Sequence, residues 1–397
     1  MTSKTSPPTG LIFIVALTSM IGPFTIDTYL PSFPAIEAEF DISRALLSQS
    51  LAFYLAAFAI STLFWGPLSD KLGRRPVLLG TLSLYVFASL GCALADDYSS
   101  FLFFRLLQGV AAGGGLAAGR TMIRDAHNPE DAHRAMSQVM MMFAVAPAVA
   151  PLVGGWLHEA FGWHSVFYFL AIYSALVLLL IFIKIPETHA LELRQPFHPR
   201  YIVNIYGQTL KHHRFRSLAL TVACGFGGMF LYIAGAPTVI FDFLGLDSHD
   251  FGVIFIPMVI GMMTGAWITG RLAHRWPRER TVQLALGLMA VASLSNAAQA
   301  LWLSPNAITV VLPLALYACA IGVAMPAFTV LSMDCFPKNR GSASAMQGFS
   351  QMAGNALVSS LAVPFLTDHP SHLALGQLAL VTIALLIWWR IPPQPAQ

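Results

Sequence analysis

Charged residues are scarce in this sequence. Asp, Glu, Lys and Arg together make up 10% of the 397 residues, whereas apolar residues make up 56%. A soluble domain has roughly a quarter of its residues charged, so a water-soluble enzyme or binding domain of this length is excluded. The composition indicates a chain for which lipid is the main solvent.

Cysteine is equally sparse, and motifs of known enzyme chemistry are missing. The four cysteines are scattered without a CxxC pair, so neither a disulfide framework nor a cysteine metal site is predicted. The sequence also lacks a Walker motif, a GxSxG elbow and an HExxH helix. We therefore expect no enzymatic activity, no cofactor, no bound metal and no nucleic-acid partner, and an ATP-driven pump would need a nucleotide domain that this chain lacks.

Apolar stretches occupy most of the chain, and each is close to the roughly 20 residues that a spanning helix needs. They lie near 10–31, 46–68, 76–95, 100–122, 135–157, 164–185, 217–241, 251–270, 281–303, 306–331, 343–366 and 371–390. The first is longer than a signal-peptide core and lacks a small-residue cleavage site, so we interpret it as an uncleaved span. The pattern predicts an all-α membrane protein with twelve transmembrane helices. Its two six-helix bundles, 1–185 and 217–397, are joined by a linker, 186–216.

Lys and Arg are distributed unevenly among the loops. All but two of the 22 Lys and Arg residues lie at the termini, in the loops that follow even-numbered spans, or at the adjoining span ends. The exceptions are Arg44 and Arg105. Because Lys and Arg accumulate on the cytoplasmic side, both termini and the linker are predicted to be cytoplasmic. Part of the linker is a candidate amphipathic helix on anionic lipid.

The two halves repeat a loop. The segment 66–75 after span 2 and the segment 270–279 after span 8 share a Gly, a Leu and two basic positions. A weaker match sets Gln108 and Gly109 in span 4 beside Ile321 and Gly322 in span 10. Such a repeat is typical of transporters whose site lies between two bundles near the bilayer midplane.

Two ionisable residues other than histidine lie well inside apolar spans, Asp27 in span 1 and Arg105 in span 4. A charge at the bilayer centre costs at least about 2.5 to 3.5 kcal/mol, so each is a functional candidate. In a narrow cavity, Asp27 would take up a proton in competition with substrate binding; the alternative is a local cap or salt bridge. Arg105 keeps its proton, so it either organises neighbouring groups or meets an anionic substrate.

The loop after span 2 carries more charge than topology requires. Its Asp70 can accept hydrogen bonds from the free N–H groups at the start of span 3. Such a latch would hold one conformation of the two bundles, and the alternative is a turn whose charges only set topology. The predicted latch residues are Gly66, Asp70, Lys71, Gly73, Arg74 and Arg75.

Span 5 is rich in proline and glycine. Pro147 and Pro151 remove backbone donors, whereas Gly154 and Gly155 permit close helix contact. The pattern predicts a kinked, closely packed barrier, with ordinary small-residue packing as the alternative.

Polar and aromatic side chains mark a predicted substrate cavity. In span 11, Gln347, Gln351 and Asn355 recur on one helix face, and that face either lines a cavity or packs on another helix, because lipid exposure is costly. In span 7, aromatic residues form a wall or pack in the bundle. The predicted cavity residues are Tyr29, Gln108, Phe226, Phe230, Gln347, Gln351 and Asn355.

These segments resemble motifs of the major facilitator superfamily. The segment 66–75 looks like its loop motif, 105–109 looks like its span 4 motif, and 147–155 is similar to the antiporter motif of span 5. The segments 26–31 and 194–198 further resemble the Bcr/CflA subfamily, whose members export bicyclomycin, chloramphenicol-type and other drugs.

This resemblance implies drug export driven by inward proton flow across a bacterial inner membrane. It implies Asp70 and the loop basics as a latch, Arg105 in proton coupling and span 5 as a seal. In the second half His274 replaces Asp70 and no basic residue lies near Gly322, so coupling is expected in the first half.

The expected partners are a small-molecule substrate, protons and the lipid bilayer, and we expect a monomer. One alternative is an exporter of an endogenous metabolite, siderophore or amino acid, with incidental drug efflux. A second is a membrane sensor or scaffold that transports nothing. The cargo itself is not predicted.

Overall fold

Helices account for nearly all of the structure. The computed structural model describes residues 10–189, 191–194, 199–272, 275–336 and 340–391, and these ranges contain no β-strand. The chain divides into two compact units. Unit 1 comprises Met1–Asp41 and Phe53–Pro199, and unit 2 comprises Ile42–Ala52 and Arg200–Gln397.

Unit 1 is built mainly from the first seven helices. A 3₁₀ turn, Leu30–Ser32, joins the first two, because Pro31 has no N–H for a regular helix. The third helix contributes its first residues to unit 2 and the rest to unit 1. The helices are α1 (Leu11–Asp27), α2 (Phe33–Phe40), α3 (Arg44–Leu72), α4 (Arg74–Ala93), α5 (Tyr98–Ala126), α6 (Pro129–Phe161) and α7 (His164–Lys184).

Unit 2 contains the remaining helices and two π-helical segments. The segments are Thr238–Phe243, after α9, and Val358–Ala362, after α13. The helices are α8 (Pro199–Lys211), α9 (His213–Ala234), α10 (Gly252–Leu272), α11 (Arg278–Trp302), α12 (Ala307–Asp334), α13 (Arg340–Leu357), α14 (Val363–Leu366) and α15 (Pro370–Trp389).

The spans agree with the predicted twelve. Within the described ranges, 11 helical stretches are long and apolar enough to cross a membrane. The twelfth runs through α13, its π-helical segment and α14, where the polar stripe lowers the hydropathy. The prediction of an all-helical membrane protein with twelve spans is therefore confirmed.

Several helices are longer than the apolar stretches predicted them to be. Helix α3 ends at Leu72, α5 ends at Ala126 and α6 begins at Pro129. Hydropathy detects only the hydrocarbon-spanning part, whereas the backbone hydrogen bonds of a helix continue through polar residues outside that layer.

The two units repeat the same helix pairs. In unit 1, α4 packs on α5 and α7, and α1 packs on α5, α6 and α7. In unit 2, α11 packs on α12 and α15, and α9 packs on α12, α13 and α15. Counted as spans, the pairs coincide, which supports the internal repeat.

The weak sequence match in spans 4 and 10 has the same physical basis in both units. A Cβ atom at Gly109 would collide with the backbone carbonyl of Tyr54 on α3, and one at Gly322 would collide with that of Met262 on α10. Both glycines let span 4 or 10 lie directly on the preceding even-numbered span.

The predicted linker contains helix α8, Pro199–Lys211. Its place on anionic lipid stays a prediction. The Bcr/CflA-like run ends in Gln195–His198, and His274 is the second-half counterpart of Asp70; both lie outside the described residues.

Candidate functional site

Arg105 lies in the interior of unit 1 with 0% of its surface exposed. Its Nη1 donates hydrogen bonds to Oε1 of Gln108 at 2.8 Å and to the backbone carbonyl of Thr25 at 3.4 Å. Its guanidinium lies over the rings of Tyr29 and Tyr54, 4.4 and 4.9 Å from their centroids. The aromatic faces attract the cation and compensate part of its lost hydration.

The remaining donors of Arg105 are not used by the described residues. Its Nε and Nη2 atoms are buried and have no hydrogen-bond partner there. A buried charged donor without a partner costs more free energy than an ordinary hydrogen bond contributes. Arg105 is therefore held in place by neutral and aromatic groups while part of its guanidinium stays available for another interaction.

Gln108 supports Arg105 from inside the unit. Its Oε1 accepts from Arg105, and its Nε2 donates to Oγ of Ser89 on α4 at 2.9 Å. Gln108 and Tyr29 were predicted to line a cavity, but both have 0% exposed surface. The structure instead places them around Arg105, because the guanidinium needs an amide oxygen and an aromatic face as neighbours.

Asp27 is the last residue of α1 and is only 4% exposed. The hydroxyls of Thr25 and Thr28 satisfy carbonyls one turn back, whereas Oδ1 of Asp27 has no hydrogen-bond partner among the described residues. The alternative that Asp27 caps its own helix or forms a local salt bridge therefore finds no support in the described chain.

The structure brings Asp27 and Arg105 into one neighbourhood. Arg105 donates to the carbonyl of Thr25, two residues before Asp27. Tyr29, whose ring lies against the guanidinium, is two residues after Asp27 in the chain. A carboxyl group that can bind a proton thus lies near a cation that cannot lose one.

Gly154 of span 5 packs against Thr28, the residue that follows Asp27. Helix α6 runs without interruption through Pro147 and Pro151 and packs along α1. A Cβ atom at Gly154 would collide with the backbone of Thr28, the residue after Asp27. Gly155 beside it is also buried. The predicted close contact of this motif is therefore present, and it is made with the end of α1.

The charges of the loop after span 2 converge on Arg74, which is 2% exposed. Its Nη1 pairs with Oδ1 of Asp70 at 2.5 Å, and its Nε pairs with Oδ2 of Asp125, on α5, at 2.9 Å. Lys71 is exposed. In unit 1 this loop is thus tied to span 4 through a buried arginine with two carboxylates.

The start of α4 is capped by a residue that the sequence did not indicate. We expected Asp70 to accept from these N–H groups, but Glu187 in the linker does so, from Arg74 at 3.0 Å and from Arg75 at 3.2 Å. Gly73 has a φ of 104°, and a Cβ there would collide with Glu187. The carboxylate of Asp70 instead forms an ion pair with the side chain of Arg74.

The polar stripe of α13 is largely buried within unit 2. Gln347 and Asn355 are 4% and 1% exposed, and Oε1 of Gln347 and Oδ1 of Asn355 have no hydrogen-bond partner among the described residues. Gln351 is half-buried. On α9, Phe230 is buried and Phe226 is half-buried. Helix α13 packs on α9. By their burial, Gln351 and Phe226 are the more accessible of these predicted cavity residues.

Sequence reasoning missed a neutral polar network in unit 2. Nδ2 of Asn296 on α11 donates to the hydroxyl of Tyr232 at 2.6 Å and to Oε1 of Gln377 at 2.8 Å. Nε2 of Gln377 donates to the carbonyl of Gly228 at 3.3 Å. Uncharged residues far apart in sequence give no signal in a hydropathy profile, although an Asn within an apolar span is a usable hint.

The first turns of α3 contact both π-helical segments of unit 2. Arg44 forms an ion pair with Asp242. Nε2 of Gln49 donates to the carbonyl of Ser360 at 3.0 Å, and Ser359 donates to the carbonyl of Ser48 at 3.1 Å. Single-turn π segments are often found at functional positions in helices.

Comparison with known proteins agrees with this architecture. The family model described as Major Facilitator Superfamily matches residues 12–359. The Bacillus subtilis (strain 168) protein named "Uncharacterized MFS-type transporter YdgK" is 33% identical over 361 residues, covering 89% of this chain and 90% of that protein. A "Bicyclomycin resistance protein homolog" of Haemophilus influenzae is 26% identical, covering 95% of each chain. The crystal structure of a D-xylose-proton symporter superposes with a TM-score of 0.77 at 17% identity, covering 97% of this chain and 98% of that one.

The chain belongs to the major facilitator superfamily, whose members are transporters rather than enzymes. More particularly, its similarity to proteins named for bicyclomycin, chloramphenicol and multidrug resistance confirms the resemblance to Bcr/CflA-type drug exporters.

Proposed function

We propose that this protein is a proton-coupled antiporter that exports small drug-like molecules from the cytoplasm by alternating access of its two bundles. The observation that carries the proposal is the buried carboxyl of Asp27 without a hydrogen-bond partner among the described residues, in the same unit as Arg105. Similarity to a bicyclomycin resistance protein homolog supports the direction of transport and the class of cargo.

In the proposed cycle Asp27 carries the proton. A buried carboxylate is destabilised by desolvation, so the site is stabilised either by a proton or by a bound substrate. Arg105 fixes the local electrostatic field and holds the end of α1 through the carbonyl of Thr25. The cluster of Asp70, Arg74 and Asp125 is the proposed latch. An inward proton supplies about 2.3 kcal/mol per 100 mV of membrane potential, plus roughly 1.4 kcal/mol per unit of pH gradient.

The proposal includes the location, the oligomeric state and the orientation of the protein. It lies in the inner membrane of a bacterium, as a monomer, with both termini in the cytoplasm. The excess of Lys and Arg in the loops after even-numbered spans supports this orientation.

The test uses purified protein in proteoliposomes with an imposed pH gradient. Substrate-induced proton movement and proton-driven substrate flux are measured for the wild type, Asp27→Asn and Asp97→Asn. Asp97 is an exposed carboxylate that caps α5, and Asn is an equally good cap. We expect Asp27→Asn to abolish both signals and Asp97→Asn to preserve them.

Three outcomes would contradict parts of the proposal. Proton-driven flux that survives in Asp27→Asn removes this carboxyl as the carrier. Flux that a protonophore leaves unchanged removes the coupling. No flux of any compound, with Asp27→Asn and Arg105→Ala indistinguishable from the wild type, would support a sensor or scaffold instead.

A further inference from the structure

Helix α5 carries a second arginine within its membrane-spanning stretch, and this one is accessible. Arg120 lies in the stretch Tyr98–Ala126 and is exposed. It is about 9 Å along the helix axis from the end of α5, at 1.5 Å per residue. No hydrogen bond or ion pair engages its side chain among the described residues. It therefore differs from Arg105, which is enclosed by its own unit.

The side of α5 that Arg120 occupies follows from the helix period. At about 100° per residue, Arg120 lies within about 20° of Gly109 and Gly113. Cβ atoms at these glycines would collide with Tyr54 and Ser61 of α3. Arg120 thus continues the face along which α5 packs on α3.

That face is different from the apolar surface of the helix. Phe103 is 56% exposed, and it lies about 100° away from Arg120 around the axis. The opposite flank is used for packing on α1, because a Cβ at Gly119 would contact Val15. Arg120 is therefore accessible on the side of α5 that faces α3, and not on the surface marked by Phe103.

The position of the Arg120 guanidinium limits the kinds of ligand that it can bind. The guanidinium stays charged at every usable pH, and near the end of the span its donors can reach water or the lipid headgroups rather than hydrocarbon. Its planar fork of donors matches a carboxylate through two parallel hydrogen bonds.

We propose that Arg120 determines cargo specificity by pairing with a carboxylate of the molecule to be exported. On this basis the cargo includes carboxylate-bearing, anionic or zwitterionic compounds, which enter on the side that the proposed topology assigns to the cytoplasm. The inference rests on the proposed function for its transport meaning, but charge-selective binding is measurable without transport.

The experiment compares a fluorescent carboxylate with its neutral ester. Binding of dansylglycine and dansylglycine methyl ester to the purified full chain is followed by dansyl fluorescence in phosphatidylcholine nanodiscs. We expect the wild type to bind the carboxylate more tightly than the ester. Arg120→Gln should weaken binding of the carboxylate about tenfold or more, the loss of a charge-assisted pair, and leave the ester within about twofold, while Arg120→Lys restores part of the difference.

Arg124→Gln is the matched control. Arg124 is also exposed on α5, one turn further on, and we expect its change to leave both affinities within about twofold. Repeating the titrations with phosphatidylglycerol added distinguishes a lipid headgroup: if anionic lipid removes the Arg120 effect, the residue binds headgroup phosphate and the proposal is overturned.

Equal affinity of the wild type for acid and ester, absence of binding of both, or equal losses in Arg120→Gln would also overturn it. Failure of the proposed function gives a different pattern. In that case charge-selective binding persists, but no proton-driven flux accompanies it in proteoliposomes.

Discussion

Gly154 is the position at which α6 comes closest to the end of α1, and replacing it tests whether this contact sets the position of Asp27. A Cβ at Gly154 would collide with the carbonyl oxygen, carbonyl carbon and Cα of Thr28. These are backbone atoms that cannot rotate away. In Gly154→Ala the two helices must separate by about 1.5 Å to reach an ordinary van der Waals contact.

The expected magnitude is the difference between two opposing effects. Gly to Ala inside a helix normally stabilises it by roughly 0.5 to 1 kcal/mol, whereas overpacking of a well-packed interior costs about 1 to 3 kcal/mol. The control is Gly80→Ala in α4, where an added Cβ meets nothing within 4 Å. The helix term is common to both variants and cancels, so Gly154→Ala should be less stable than Gly80→Ala by the overpacking cost, about 1 to 3 kcal/mol.

The assay measures the melting temperature of the purified proteins in detergent, together with proton-driven flux in proteoliposomes. We expect Gly154→Ala to melt at a lower temperature and to transport at least about tenfold more slowly, because a 1 Å misplacement of a reacting group can cost about two orders of magnitude in rate. If the two variants match in both measurements, the contact between α6 and Thr28 does not position Asp27.

Three further changes test other contacts. Arg105→Lys keeps the charge but loses the planar fork and stacked ring contacts, so proton-driven flux should fall about tenfold, and full flux would show that charge alone is sufficient. Glu187→Gln weakens the cap on α4, which should lower stability by about 1 kcal/mol relative to the exposed Glu192→Gln, and equal melting temperatures would contradict that. Arg44→Asp and Asp242→Arg should each lower stability by up to about 1 kcal/mol, and the double swap should recover it; simple additivity would show that the pair contributes nothing.

The number and order of the spans were predictable because an apolar stretch of about 20 residues has few alternatives in a membrane protein. The ends of the helices were not. Helix α6 starts at Pro129, six residues before the predicted stretch, because Asn128 accepts a hydrogen bond from the Asp131 N–H and caps it. A cap of this kind depends on local side-chain geometry, which hydropathy does not measure.

The candidate site was predictable to the extent that it is charged. Asp27 and Arg105 were identified because burying a charge in an apolar span is costly, so a charged residue there usually has a function. The role of Glu187 was not predictable, because its partners at the start of α4 are 113 and 112 residues away. The prediction located the free N–H groups correctly but assigned them to the nearest carboxylate in the sequence, Asp70. In the structure Asp70 forms an ion pair with Arg74.

The repeated helix pairs make the difference between the units informative. In unit 1, residues of spans 1, 2 and 4 contact Arg105, and the ionisable carboxyl of Asp27 lies at the end of span 1. In unit 2, spans 7, 9 and 12 enclose Asn296, Tyr232 and Gln377, which are joined by hydrogen bonds between neutral groups. Amide side chains neither gain nor lose a proton at usable pH, so this network responds to packing but not to the proton gradient. Among the described residues, unit 1 thus has ionisable side chains in its interior, whereas this network of unit 2 is neutral and lies on a different set of spans, which supports proton coupling through unit 1.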